Sequence, residues 1–159
     1  MNLGTPAAAE AAYRAISDTL IAKGLPDAMQ GALVQPMIVG GVECIVGVVN
    51  DPVFGPLIAF GLGGVTAEVL GDVAFRLHPL TDVDADELIA SSRASRLLAG
   101  FRGAPVADLG ALREILLRVS KLVEDVPEIA ELDLNPVLVR SAGEGAFAID
   151  ARIRLGPRS

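Results

Sequence analysis

The 159-residue chain has no tryptophan, one tyrosine, one histidine (His78) and one cysteine (Cys44). A single cysteine excludes an internal disulfide, and a reducing cytoplasm is the simplest compartment for such a chain. Cys44 lies between Glu43 and Ile45 with no basic neighbour to activate it, so it reads as packing rather than as a nucleophile. A lone His beside Pro79 has no visible second ligand or orienting carboxylate, so no phosphoryl-acceptor or metal role is expected for His78. Positive charge is also scarce. Thirteen basic against 20 acidic residues leave a net charge of −7, which argues against non-specific binding to nucleic acid. A polyanionic ligand would have to be met by a metal ion, a few placed arginines or backbone N–H groups. No membrane span is expected either: the apolar stretch from Ile45 to Val69 is interrupted by Asp51, Pro52, Pro56, Glu68 and several glycines. The N-terminus offers no basic segment followed by an apolar run, so no signal peptide is expected.

What is present is a core. Hydrophobic residues make up 52% of the chain and charged residues 21%, a globular balance with enough length for one domain. Thr5-Pro6 reads as a helix cap with proline at the first helical position, and the helix runs to Lys23 before Gly24. In "ALVQPMIVGGVECIVGVVND" two apolar runs flank Gly40-Gly41, a two-residue hairpin signal. "FGPLIAFGLGG" gives a short strand and a glycine-dense loop, with a helical turn expected at Thr66–Leu70. "DVAFRLHPL" alternates as a strand. "TDVDADELIASS" opens a helix capped by Thr81 or Asp82. The clearest helix is "DLGALREILLRVSKLVEDV", with Leu109, Leu112, Leu116, Val119, Leu122 and Val123 on one stripe. The expected fold is α+β: a mostly antiparallel sheet with helices packed on one face.

The closing stretch "ELDLNPVLVRSAGEGAFAIDARIRL" reads as two strands and a turn at Ser141, Gly143 and Gly145. With the turn centred between Ala142 and Gly143, Asn135 faces Asp150, Glu131 faces Arg154 and Asp133 faces Arg152. The opposite face pairs Leu132 with Ile153, Leu134 with Ala151 and Leu138 with Phe147. One register thus yields two opposite-charge pairs and an apolar reverse side, and a slip of two residues loses the matching. The register sets a carboxylate beside an amide carbonyl. These are hard oxygen donors suited to Mg²⁺, or else a hydrogen-bonded pair with no ion.

Three further features are open to two readings each. "FGLGGV" could form an anion-binding nest or simply a tight turn; it lacks the lysine of a nucleoside-triphosphate P-loop. Glu43, inside an apolar strand, could sit on a solvated face or accept hydrogen bonds from sugar hydroxyls. Arg76 could be a solvated strand charge or a phosphate clamp.

Taken in order, "LVQPMIVGGVECIVGVVND", "FGPLIAFGLGGVTAEVLGDVAFRLHPL", "GFRGAP" and "ELDLNPVLV…AIDARI" resemble the ATP-grasp domain of NDP-forming acyl-CoA synthetases, also called ADP-forming acetate–CoA ligases. The resemblance runs from Thr5 to Leu155, and the closing hairpin is also similar to that of the succinyl-CoA synthetase β-subunit. It implies the C-terminal lobe of an ATP-grasp domain over residues 1–159, with ATP and Mg²⁺ as cofactors and the family's CoA-binding and ligase domains as partners in cis or in trans. It implies that Gln35, Pro36 and Met37 lie beside the adenine, that Glu43 lies near the ribose hydroxyls, and that Asn135 and Asp150 hold Mg²⁺ on the phosphates. Arg76 matches the family's "FR" and is the expected phosphate contact, whereas Glu68 matches without a role. The family's phosphate-binding lysine and its histidine relay segment belong to a part upstream of this stretch, so the chain by itself is expected to be inactive. The alternative implied is a non-catalytic nucleotide-binding or docking module, as in ATP-grasp domains fused to acetyltransferases.

Overall fold

The computed structural model describes residues 3–63 and 72–156. Glu68 and the helical turn expected at Thr66–Leu70 fall outside them. The chain divides into two compact units, Met1–Val39 and Gly40–Ser159.

In the first unit, helix α1 spans Pro6–Ala22, and the Thr5 hydroxyl caps it by accepting from the Ala8 N–H at 3.2 Å. Gly24, at φ +74°, ends it with backbone bonds from Gly24 to Ile21 and from Leu25 to Leu20. A single 3₁₀ turn follows at Pro26–Ala28. Residues 29–40 then form neither helix nor strand, and Leu33, Val34, Met37 and Val39 are exposed. This corrects the hairpin expected at Gly40-Gly41. Both glycines do have positive φ, +75° and +100°, as a tight hairpin turn would need. The difference is the next strand's partner. Val42 pairs with Val139, far along the chain, and a Cβ on Gly41 would lie 2.7 Å from the Val139 carbonyl oxygen. That close approach, rather than a two-residue turn, is what the glycine permits.

The second unit is a six-stranded antiparallel sheet with helices on one side. Strands β1 (Val42–Asp51), β2 (Gly55–Leu62) and β3 (Val73–Leu77) lead to helices α2 (Asp82–Ser91), α3 (Ala94–Leu98) and α4 (Leu109–Asp125). Strands β4 (Ile129–Val139), β5 (Ala146–Ala148) and β6 (Ala151–Leu155) close the chain. The sheet order is β3-β2-β1-β4-β5, and β6 also pairs with β4. The turn between β1 and β2 is shaped by Asp51, whose carboxylate accepts from the Val53 and Phe54 N–H groups at 2.8 and 3.0 Å. α2 begins with the expected device: Thr81 and Asp84 form a reciprocal capping box.

The core lies between the sheet and α2–α4. Alternate residues of β1 and β2 (Cys44, Val46, Val48, Ile58 and Phe60) meet Leu88, Leu98, Leu112, Leu116 and Val123, all buried. Of the stripe expected on α4, Leu112, Leu116, Val119 and Val123 are buried, while Leu109 and Leu122 remain exposed. Burial pushes the Cys44 thiol up to about 12, so it is inert at neutral pH, in line with its reading as packing.

Candidate functional site

Antiparallel partners share a face, so the register sorts every sheet residue onto one of two sides. Cys44, Val46 and Val48 point to the helices, and the odd positions Glu43, Ile45, Gly47 and Val49 point away. The same rule puts Ala74 and Arg76 on the helix side, since they face Phe60 and Ile58, and Phe75 and Leu77 on the open side.

The closing hairpin has the expected register from Glu131 to Leu138: Glu131 faces Arg154, Asp133 faces Arg152, Leu134 faces Ala151 and Leu138 faces Phe147, with a one-residue shift beyond it where Ile129 faces Leu155. Between these pairs the Asn135 N–H donates to the Asp150 carbonyl at 3.3 Å, and the Ile149 N–H donates to the Pro136 carbonyl at 3.0 Å. By alternation from Asp133 and Arg152, Asn135 and Asp150 fall side by side on the open face, and both are exposed.

Three details depart from the expectation. The second strand breaks at Ile149-Asp150 into β5 and β6. Arg152 pairs with Asp150 at 3.6 Å rather than with Asp133, while Arg154 and Glu131 do pair, at 3.0 Å. The apolar reverse side of β4 also changes parity. Leu132 is buried before Pro136, but Val137 and Val139, not Leu138, are buried after it. The cause is a register shift against β1: Val46 faces Leu134 whereas Cys44 faces Val137, so β4 carries one extra residue around Asn135-Pro136. Proline has no N–H to give to a ladder, which suits it to the irregular position. The candidate metal pair therefore sits at the bulge, where a strand is re-aimed.

The Asp150 carboxylate accepts from the Ala151 N–H at 2.9 Å. Among the described residues no hydrogen bond joins the Asn135 and Asp150 side chains. The ion-free pair is not formed, and the two oxygens remain able to face a third partner. Among the described residues no group of three or more His, Cys, Asp or Glu side chains is arranged to hold a metal. A pair of oxygen donors is nonetheless the set Mg²⁺ takes when phosphate and water complete its shell.

Glu43 is exposed and faces Leu138 across β1 and β4, on the same side as Asn135 and about 10 Å further along by strand rise. It lines a cleft with Gly41, Val42, Leu62, Gly63, Leu97, Phe101 and Ala104. Gly63 donates its N–H to the Glu43 carbonyl at 2.8 Å, and a Cβ there would lie 2.9 Å from the Cys44 backbone. That end of the cleft is thus built on close backbone contact that only glycine allows.

Arg76 is not brought to this face. It lies on the helix side at the sheet edge, 3.6 Å from Glu87, and its Nη1 donates to the Phe75 carbonyl. His78 turns inward to Ser120, with Nδ1 3.1 Å from a hydroxyl that also accepts from the Leu80 N–H. Gln35, Pro36 and Met37 belong to the first unit, in its segment without regular structure.

The residue that sequence reasoning missed is Asp108. Its carboxylate accepts from the Ala111 N–H at the start of α4 and from the Gly143 and Gly145 N–H groups of the hairpin turn, at 2.9–3.0 Å. The Ala111 N–H first, then those of Gly145 and Gly143, hold its carboxyl below the ordinary aspartate value. An aspartate just ahead of a helical stripe is a cap signal that sequence reading could have taken up; nothing in sequence announced its hold on a turn 35 residues away.

An ATP-grasp domain family model matches residues 1–155. The chain belongs to the ATP-grasp domain family. It is 51% identical over 132 residues to the β-subunit of an ADP-forming acetate–CoA ligase from Pyrococcus furiosus, covering 82% of this chain and 56% of that subunit. A crystal structure from Pyrococcus horikoshii superposes with a TM-score of 0.87 at 43% identity, over 99% of this chain and 66% of the other. A dinucleotide-forming acetyl-coenzyme A synthetase of Ca. Korarchaeum cryptofilum, solved with coenzyme A and Mg-AMPPCP, superposes with a TM-score of 0.71 at 44% identity, over 75% and 55%. This ATP-grasp chain thus spans about half the length of the Pyrococcus furiosus subunit.

Proposed function

We propose that this ATP-grasp chain is the Mg-ATP-binding lobe of an ADP-forming acyl-CoA synthetase, acting where acid, CoA and ATP give acyl-CoA, ADP and phosphate. The observation that carries the proposal is the placement of Asn135 beside Asp150 on the helix-free face of the sheet, at a bulge, with no hydrogen bond between their side chains among the described residues. In this reading the Asn135 carbonyl and the Asp150 carboxylate hold Mg²⁺ against the nucleotide phosphates. When bound, the ion neutralises phosphate charge that a chain of net charge −7 would otherwise repel. Glu43, further along the same face, accepts hydrogen bonds from the ribose hydroxyls. Gln35 and the backbone of Pro36 and Met37 contact the base. Arg76, the expected phosphate contact, is paired with Glu87 on the helix side of the sheet, so it carries less of this reading than the Asn135–Asp150 pair does. The CoA-binding and ligase functions belong to further domains in cis or in trans, and the compartment is the cytoplasm.

The chain contains only two lysines. Lys23 follows α1, and Lys121 is ion-paired to Glu124 and Asp125 on α4. Neither lies in the sheet, so no sheet lysine of the kind that phosphoryl transfer uses accompanies the metal pair. The purified chain is therefore expected to bind Mg-nucleotide without turning over acetate, CoA and ATP. An ADP-release assay beside a Mg-ADP titration tests this. Binding without turnover is the expected result; turnover by the chain alone, or no Mg-dependent nucleotide binding at all, contradicts it.

A further inference from the structure

The motif "GFRG" has no role in the site as described, yet its backbone is unusual among the described residues. Gly100, Arg102 and Gly103 have φ of +90°, +55° and +83°, and Arg102 is the sole non-glycine residue with positive φ among the described residues. A left-handed conformation at a residue with a Cβ is disfavoured and persists where surrounding bonds impose it. Here they do. The loop is tied by bonds from the Gly100 N–H to Leu97, from Ala104 to Phe101 and from Ala107 to Leu98. Gly100 packs so tightly that a Cβ would lie 2.6 Å from the Ala104 carbonyl oxygen.

The imposed turn presents two side chains together. Phe101 lines the cleft that Glu43 also lines, and the Arg102 guanidinium sits 5.2 Å above the centroid of the Phe101 ring. Seven other arginines are paired with carboxylates: Arg14, Arg76, Arg113, Arg118, Arg140, Arg152 and Arg154. Arg102 has no carboxylate partner among the described residues. A guanidinium stacked on an aromatic ring keeps its planar fork of donors free at the edge, and that fork matches the oxygens of a phosphate. The cleft that Phe101 lines has a volume of about 370 Å³, of ligand size, and Arg102 stands on the Phe101 ring beside it.

We propose that Arg102, stacked on Phe101 beside the cleft that Phe101 lines, is a phosphate-binding residue. The phosphate is carried either by the nucleotide or by free inorganic phosphate; only the first alternative rests on the nucleotide reading above.

The test is an NMR titration of the ¹⁵N-labelled chain with inorganic phosphate, and separately with Mg-ADP, at constant ionic strength against a chloride control. The signals followed are the Arg102 side-chain Nε–H and the amides of Gly100, Phe101 and Gly103. Saturable shifts at these signals are expected with at least one ligand. Arg102→Gly, which suits the left-handed backbone, should keep the spectrum dispersed and weaken that binding by about 10–100-fold, the range for loss of a hydrogen bond to a charged group. Arg102→Lys should also bind more weakly than wild type, having charge without the fork. Shifts with phosphate alone assign the free ion as ligand even if nucleotide binding fails. Nucleotide shifts at Glu43 or Asp150 with an unresponsive loop overturn this proposal and leave the nucleotide reading intact. No saturable response of the loop to either ligand, or equal affinity in Arg102→Gly, overturns it as well.

Discussion

The two faces of one sheet follow different rules. On the face covered by α2–α4 the central positions are aliphatic or aromatic and fully buried: Val46, Val48, Ile58, Phe60, Val137 and Val139, with Arg76 at the sheet edge as a charged exception. On the open face the same sheet carries Glu43, Glu131, Asp133, Asn135 and Arg152, with Asp150 at the break between β5 and β6, among apolar residues such as Ile45, Phe75 and Leu138. Alternation with a period of two makes this division possible within single strands, so Glu43 and Cys44 are neighbours in sequence and opposites in environment. The lesson is one of separation. Burial on one face holds the scaffold, and the other face is left to chemistry, so substitutions on the two faces should fail in different ways.

The largest effect is expected from Phe60→Ala on the covered face. Removing a fully buried ring from among close-packed neighbours should lower unfolding free energy by about 3–5 kcal/mol, read as a shift in the urea midpoint. Nucleotide affinity of the molecules that remain folded should be unchanged. A large loss of affinity with little loss of stability would break the separation.

Glu43→Gln on the open face should do the reverse. Stability stays near wild type, and Mg-nucleotide binding weakens by about 1–3 kcal/mol if the carboxylate accepts sugar hydroxyls. Glu10→Gln, on an exposed stretch of α1 where Glu10 pairs only with Arg14, is the control and should change neither quantity. Equal affinities for the two variants in calorimetric titration would return Glu43 to a solvated charge.

Asp108 tests the link between the two faces, because it joins the start of α4 to the turn of the site-bearing hairpin. A carboxyl whose pKa is depressed on folding adds stability above its unfolded value and loses it as pH falls through the aspartate range. Asp108→Asn should therefore be less stable than wild type at pH 7, and the gap should narrow toward pH 3. Urea midpoints at several pH values check this; a gap that is independent of pH would remove the charge from the explanation.

Much of this was legible before the structure. The caps at Thr5 and Thr81, the α4 stripe and the hairpin register all rest on local patterns, and cross-strand charge matching alone placed Asn135 against Asp150. What was not legible depended on contacts distant in sequence. Gly40-Gly41 has hairpin chemistry, but β1 is claimed by β2 and β4, and the preceding apolar run stays outside the sheet. The parity change at Pro136 needs the partner strand to be seen. Arg76 reads alike on either face of a strand, and only its pairing with β2 shows that it lies among the helices. The α3 helix and the strained "GFRG" turn have too few residues for a period to appear.

The central claim is that Asn135 and Asp150 act together on Mg²⁺ and nucleotide at the open face. The most direct measurement is a calorimetric titration of ADP into the chain with and without Mg²⁺, repeated for Asp150→Asn. The wild-type chain should bind ADP in a Mg²⁺-dependent way. Asp150→Asn should keep its fold and need about tenfold or more Mg²⁺ for the same affinity, since one of two adjacent oxygen ligands has lost its charge. Mg²⁺ dependence and affinity that are the same in both proteins would contradict the claim.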